Sequence, residues 1–428
     1  MKTDSDYYNV LVVNVQSMTE ENATCITMRS LFDGWPPEKI CEISVGQAEI
    51  QSDFLKTVTL SNEFFPLRKL FMSGFGAGLN KKMKSQPEKS GEKPEKSGFK
   101  ENLRQLFYTM CDCTPIFKRK KIIRKIGEFK PDVIYTIGCS VLSLKLANFL
   151  AEHYKINIVI HFMDNWIEAL EWNSNVLLKP YHAILIRNVR KCCKHTEKAL
   201  AISAEMARHY TEILGVPHEY IMNSISVSDF SNEPKEKIVS PIHITYTGGL
   251  HLKRWSTLKA VEGQIRVYAE KTNETVILDI YTSAADRENY SKLFNERITV
   301  FHDYVKHEEI PKIYFNSDIL IHAETLDSDY NSFFKYSVST KIPEYLASGR
   351  PIIVLCPRSM YLYEYLNKNN AAYVSDNAND FLNLFESLLN NKTERMGKIS
   401  SALALAEKNH DISVSHKKFE LVLEENKC

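Results

Sequence analysis

Three short stretches of this chain hold residue types whose spacing can do chemistry. Residues 339–354, STKIPEYLASGRPIIV, place Glu344 on a brief helix between a polar start and a Gly-Arg-Pro turn. Ile342, Tyr345 and Leu346 fall at helical spacing, so one face can pack. Gly349 ends the helix with the positive φ such a position favours. The apolar run 352–355 then suits an interior strand. Such a unit presents a carboxylate and helix-start groups to a ligand, and an ionised carboxylate accepts hydrogen bonds from paired hydroxyls. In the second stretch, Gly248 and Gly249 follow a strand and precede His251, Lys253 and Arg254. A glycine turn, cations and a helix start together make an anion site. In the third, His161 and Asp164 stand in HFMDNW at the carboxyl end of a strand, where open α/β sheets bind ligands.

These stretches need a scaffold of alternating strands and helices. Buried strands are expected at residues 10–13, 40–45, 130–138, 156–160 and 199–202, with helices at 24–32, 99–110, 141–154, 181–193 and 203–210. A short strand at 220–224 leads out. Residues 228–240 (SDFSNEPKEKIVS) are polar and read as a linker. A second series gives strands at 242–247, 276–281, 298–301 and 319–322, with helices at 256–270, 285–295 and 308–316. Helices at 381–389 and 399–408 close the chain. Alternation of this kind builds parallel sheets covered by helices. The expected architecture is therefore α/β, two Rossmann-like domains facing across a cleft. The expected division is 1–228, a linker at 229–241, 242–405, and a helical segment at 406–428. Residues 80–98 repeat PEKSG and carry few apolar groups, which reads as a mobile insertion.

With 428 residues, 44% of them hydrophobic and a net charge of +1, the chain has the composition of a soluble protein with no global case for nucleic-acid binding. Its nine cysteines show no framework spacing. Cys192, Cys193 and His195 lack the paired ligand spacing of a structural zinc site, and a reducing cytoplasm fits the cysteine usage. No secretory leader or spanning segment is read. The cluster Lys118-Arg119-Lys120-Lys121 with Arg124 and Lys125 follows an apolar helical face. It is either a solvated helix or a surface for peripheral contact with an anionic membrane face. Asp327-Ser328-Asp329 reads as solvated loop acids rather than a metal motif.

In order and spacing, PDVIYTIG, NIVIHFMDNW, ALAISAEMARHYTEILGVPHEYIMNSISVSDF, YTGGLHLKRWSTLKAV and STKIPEYLASGRPIIV resemble a GT-B glycosyltransferase, most like the retaining glycosyltransferase family 4. The resemblance covers nearly the whole chain outside residues 80–98, and it implies that residues 1–228 form the acceptor side and residues 242–405 bind the nucleotide-sugar. It implies that Glu344 holds the ribose hydroxyls of a nucleotide-sugar, as the second acid of the family's Glu-x7-Glu motif. It implies that Arg254, with Lys253, holds the donor diphosphate beside Gly248 and Gly249. Lys341 and Ile342 would approach the donor, and His161 would touch the transferred sugar. Asp164 is added here as a group that orients a sugar or acceptor hydroxyl. The sequence departs from the pattern at Tyr336, where the first acid belongs, and at Leu250, near the usual arginine.

The implied reaction moves a hexose-type sugar from a nucleotide-sugar to a glycan or lipid-linked acceptor with retention, in cell-surface polysaccharide synthesis. The donor is a substrate, and neither metal nor cofactor is expected, because cations and amides meet the diphosphate charge. The expected setting is the cytoplasm, with peripheral contact at the inner membrane face. Two other readings stay open. One is a nucleotide-sugar epimerase of the same fold, which needs groups placed for proton abstraction. The other is a non-catalytic partner of another transferase. His161 is read equally as a core histidine, and Trp166 and Trp172 as packing or as sugar-stacking aromatics.

Overall fold

The computed structural model describes residues 7–15, 17–19, 23–45, 56–65, 99–168, 178–230, 233–326 and 335–427. The expected insertion at 80–98, Asp327-Ser328-Asp329 and Trp172 lie outside them. The described residues form two compact units. One runs to Met222 and is taken up again from Ser415; the other spans Asn223–Val414.

The first unit is built on a seven-stranded sheet in the order β3-β2-β1-β4-β5-β6-β7. Its strands are β1 (Val10–Val13), β2 (Ile40–Val45), β3 (Lys56–Leu60), β4 (Val133–Ile137), β5 (Ile158–Phe162), β6 (Ala199–Ala201) and β7 (His218–Tyr220). Every pairing is parallel. Sheets of this kind are covered on both faces, which is why β1, β4 and β5 are continuous buried apolar runs. Its helices are α1 (Ala23–Leu31), α2 (Phe99–Asp112), α3 (Arg119–Ile126), α4 (Val141–Tyr154), α5 (Lys179–Cys192) and α6 (Ala204–Leu214). Ser203 caps α6 by accepting from the Met206 amide, and Gly215 ends it at φ 71. The short strand expected at 220–224 is instead β7, because its pairing with β6 runs from Ala199↔His218 to Ala201↔Tyr220.

The second unit has six parallel strands in the order β10-β9-β8-β11-β12-β13. They are β8 (Ile242–Thr247), β9 (Val276–Tyr281), β10 (Thr299–His302), β11 (Ile319–Ala323), β12 (Ile352–Leu355) and β13 (Tyr373–Ser375). Helices α7 (Arg254–Thr272), α8 (Ala284–Tyr290), α9 (Ile310–Asn316), α10 (Lys341–Ala347), α11 (Tyr361–Lys368), α12 (Phe381–Asn390) and α13 (Lys392–Asn409) cover it. In each unit the strand order reverses beside the first strand, next to β1 and β8 respectively. Such a crossover leaves a crevice at the carboxyl ends of the strands.

The division departs from the expected 1–228, 229–241, 242–405 and 406–428. The polar segment read as a linker is part of the second unit, to which its backbone is stitched. The Lys235 amide donates to the Gly349 carbonyl at 2.9 Å. Arg350 donates to the Glu233 carbonyl at 2.8 Å, and Arg395 to the Glu236 carbonyl at 3.0 Å. Phe230 stacks on Tyr314 with centroids 6.4 Å apart. The last helix, α14 (Ile412–Glu425), belongs to the first unit from Ser415 onward. Its Phe419, Val422 and Leu423 are buried with Val10, Phe32 and Tyr135. Phe419 meets Phe32 and Tyr135 edge to face, at 5.1 and 5.6 Å. Chemical denaturation of Phe419→Ala is expected to show a loss of about 3–5 kcal/mol, the usual cost of emptying a buried aromatic position. A loss below about 1 kcal/mol would mean that α14 contributes little to this core.

Candidate functional site

The second unit has a cavity of about 450 Å³ at its crossover. Its walls come from the loop after β8 (Gly248, Gly249, His251), the loop after β9 (Thr282, Ser283), Asp286 on α8, Tyr304 beyond β10, and Thr340, Lys341 and Glu344 around the start of α10. Sequence-distant loops meet here because parallel strands deliver all their carboxyl ends to one edge.

Gly248 and Lys341 define one another. Gly248 has φ 119, and a Cβ at that position would lie 1.9 Å from Lys341 Nζ. Only glycine permits both that backbone and that approach. The ammonium lies 4.9 Å from the centre of the Tyr246 ring. Burial, reinforced by Arg254, lowers its pKa to about 8. Gly249 is tight for a second reason, since a Cβ there would meet His251 Nδ1 at 2.5 Å.

Glu344 sits on the same wall and is 9% exposed. Its Oε2 accepts from the Tyr314 hydroxyl at 3.0 Å, and Oε1 lies 3.4 Å from Nδ1 of the exposed His307. Tyr314 is fixed in turn by the Thr247 hydroxyl at 2.8 Å. Burial raises the Glu344 pKa, against the pull of His307, Tyr314 and Lys341. Asp286 ties the glycine loop to α8, accepting from the Leu250 amide at 2.8 Å and from the Thr282 hydroxyl at 3.3 Å. Tyr304, 76% exposed, offers an aromatic face at the cavity.

Of the expected donor residues, this cavity brings together Gly248, Gly249, Lys341 and Glu344. Arg254 goes elsewhere. It opens α7, and its Nε and Nη2 donate to the two Glu324 oxygens at 2.8 and 3.0 Å. Glu324 also lies 3.0 Å from His322 Nε2. Burial works against its charge, but His322 and Arg254 outweigh it and hold the Glu324 pKa at about 2. The Arg254 pKa is raised, its burial overcome by Glu324. Neither Arg254 nor Lys253 lines the cavity. Ile342 is wholly buried, and its amide donates to the Ser339 carbonyl at 3.0 Å. Leu250 is likewise buried, and Tyr336 is 2% exposed. Both departures from the family pattern are therefore packing positions.

The expected pair His161 and Asp164 is split. Asp164 lines a separate cavity of about 330 Å³ in the first unit, and His161 does not. His161 is fully buried within β5, with Nδ1 2.8 Å from the Tyr135 hydroxyl. Nε2 has no hydrogen-bond partner among the described residues, and burial lowers the pKa to about 3. The geometry does not support a catalytic His161. In the alternating pleat its ring points into the core. Tyr314, Glu324, Asp286 and Tyr304 had no local signal, because each matters through partners far away in sequence.

No protein-family model matches the chain, and no curated protein matches it in sequence. Solved structures do match in fold. HepE from Anabaena, in complex with UDP, aligns at TM-score 0.61 and 12% identity over 97% of this chain and 99% of that one. Another structure of HepE is a complex with UDP-glucose, at TM-score 0.59 and 11% identity over 98% and 100%. Sucrose-phosphate synthase from Thermosynechococcus elongatus aligns at TM-score 0.58 and 10% identity, over 97% and 98% of the two chains. The shared architecture of two Rossmann-like units is the GT-B fold.

Proposed function

We propose that this chain is a glycosyltransferase that moves a hexose-type sugar from a nucleotide-sugar to a glycan or lipid-linked acceptor. The observation that carries this reading is the single wall of the second-unit cavity, where Gly248, the Lys341 ammonium and the buried Glu344 carboxylate come together. The solved complexes of HepE with UDP and UDP-glucose support a nucleotide-sugar as the ligand class. In this reading the diphosphate lies against Gly248 and Lys341, the ribose hydroxyls on Glu344, and the base towards Tyr304. Lys341 stabilises the charge that develops on the leaving diphosphate. The chain is read as family 4-like and retaining, with the leaving phosphate accepting the proton of the acceptor hydroxyl. The reaction calls on no metal, since a cation already stands at the glycine loop. Arg254 stays in its ion pair with Glu324 and does not touch the donor.

Polysaccharide synthesis at the inner membrane face remains part of the proposal. Helix α3 buries Ile122 and Ile126 and turns Arg119, Lys120, Arg124 and Lys125 outward. Contact with an anionic surface would be electrostatic, since the apolar side of α3 faces inward. Among the described residues, no helix is long and apolar enough to cross a membrane. Tyr336 in place of an acid and the buried His161 favour one alternative, a partner that binds donor without turnover.

A thermal-shift panel of nucleotide-sugars should show stabilisation by at least one donor, because a ligand of the folded state raises its stability with affinity. Labelled sugar should then pass to a lipid-linked acceptor. Binding without transfer would select the partner reading, and no binding at all would overturn both. Lys341→Ala and Glu344→Gln should weaken donor binding by about tenfold or more, the loss expected for one charged hydrogen bond. Arg254→Ala should instead cost about 3–5 kcal/mol of stability, because it strands a buried carboxylate.

The pH dependence has a definite sign. A bound diphosphate raises the Lys341 pKa from its free value of about 8, so binding above that pH takes up a proton. Calorimetric titration should show Kd rising by up to about tenfold per pH unit there. Glu344, raised by burial, should weaken binding on the acid side sooner than an ordinary carboxylate would. A Kd flat from neutral to alkaline pH would contradict the role given to Lys341.

A further inference from the structure

Glu344 has to satisfy two opposed demands. It must stay charged to accept from ribose hydroxyls, yet it is 9% exposed and burial raises its pKa. A carboxylate so placed stays ionised only where its neighbours supply donors or positive charge.

The groups that face it come from α10, from α9 and from the turn before α9. Lys341 stands three residues earlier on α10 and acts through its charge. Tyr345, also on α10, is buried, and its hydroxyl is engaged with Thr247 at 3.3 Å and with the Ile321 carbonyl at 3.2 Å. His307, before α9, has Nδ1 3.4 Å from Oε1. Tyr314, on α9, donates its hydroxyl to Oε2 at 3.0 Å and is the one hydrogen-bond partner of Glu344 among the described residues. The His307 side chain is 75% exposed, so water screens its charge. An incoming diphosphate takes up the Lys341 ammonium. Tyr314 is the partner that stays.

The hydrogen bonds behind Tyr314 run one way. An ionised carboxylate only accepts, so the Tyr314 proton goes to Glu344. The Tyr314 oxygen is then the acceptor for the Thr247 hydroxyl at 2.8 Å. Thr247 ends β8 immediately before Gly248. The chain Thr247–Tyr314–Glu344 therefore ties the glycine loop, α9 and α10 together along the cavity wall. The Tyr314 ring is wholly buried, stacked on Phe230 and edge-on to Tyr345 with centroids 5.1 Å apart. With Oε2 engaged by Tyr314, Oε1 is the freer oxygen for a ligand.

We propose that Tyr314 is a positioning residue of the donor site: held by Thr247, its hydroxyl keeps the Glu344 carboxylate ionised and turned with Oε1 towards the ribose. This rests on the transferase reading, to which it adds the group that governs the ribose contact.

The test is calorimetric titration of the full chain with UDP, GDP and UDP-glucose across a range of pH. Tyr314→Phe keeps the ring and its packing, and at neutral pH it should weaken binding about three- to tenfold, as for one lost hydrogen bond to a charged group. The pH profile gives the second readout. The Tyr314 hydrogen bond favours the charged carboxylate, so its removal raises the Glu344 pKa further. Binding is kept above that pKa and lost below it, and the acid limb therefore moves to higher pH in the variant. A loss of packing alone would lower affinity by one factor at every pH and leave the limb in place. His307 is present in both proteins, so its charge cancels in the comparison.

In a Glu344→Ala background the hydroxyl has no carboxylate to hold, and Tyr314→Phe should change affinity by less than about twofold. Thr247→Val removes the donor to the Tyr314 oxygen and should move the limb in the same direction by a smaller amount. It decides the matter if Tyr314→Phe fails to fold. An acid limb unmoved in the variants, or the full loss repeated in the Glu344→Ala background, overturns the proposal and leaves the transferase reading standing. Failure of the unaltered chain to bind any of the three probes defeats that reading, and this inference with it.

Discussion

The close approach of Lys341 to Gly248 is the constraint on which the rest of the second unit depends. It requires a residue without Cβ at φ 119, a lysine at the first position of α10, and the Tyr246 ring beneath the ammonium. None of these works without the crossover that places the end of β8 beside β11. A buried ammonium is costly unless opposite charge is near. Glu344 and Glu324 both pull the Lys341 pKa upward, while burial and Arg254 pull it down to about 8. The second cation is already spent, because Arg254 is neutralised in place by Glu324. What the cavity offers a ligand is therefore one poised cation rather than a cluster.

The two units share a topology and differ in chemistry. Each has a parallel sheet with a crossover beside its first strand, and each has a cavity there. In one, a lysine and two histidines stand with two acids. In the other, Asp112 occupies the helix start, and Asp164 is the other acid among the described lining residues. Similar backbone plans thus carry two cavities lined by different charges. The difference lies in a few side chains at the ends of strands, where a fold accepts variation with least damage to its core.

Much of the fold was legible because buried parallel strands are rich in apolar and β-branched residues, and β1, β4, β5, β8, β9 and β11 all announce themselves in this way. The edge strands of the first sheet were harder to read, whereas β10, at an edge of the second, was expected at 298–301. β3 (KTVTL) and β7 (HEY) are only partly buried and carry polar residues, so composition hides them. The unit boundary was misplaced because polarity is local. Residues 233–236 look like a linker until Arg350 and Arg395 are seen taking their carbonyls. The site shows the same limit. The turn at Gly248 and the helix bearing Glu344 were legible from strand-turn-helix order, Lys341 was implied by the resemblance, and all three line one cavity. Arg254 was given to the diphosphate on its loop position and the resemblance, and its ion pair with Glu324, seventy residues away, leaves no sequence pattern. His161 stands at the right end of the right strand, but side chains alternate along a strand and its ring faces inward.

In the proposed site Lys341 and Glu344, not Arg254, hold the donor. An experimental structure with UDP-glucose bound tests it most directly. The expected result is the diphosphate against Gly248 and the Lys341 ammonium, the ribose hydroxyls within hydrogen-bond distance of Glu344, and the Arg254–Glu324 pair unbroken. Density for the nucleotide away from this wall, or Arg254 released from Glu324 to grip the diphosphate, would contradict it.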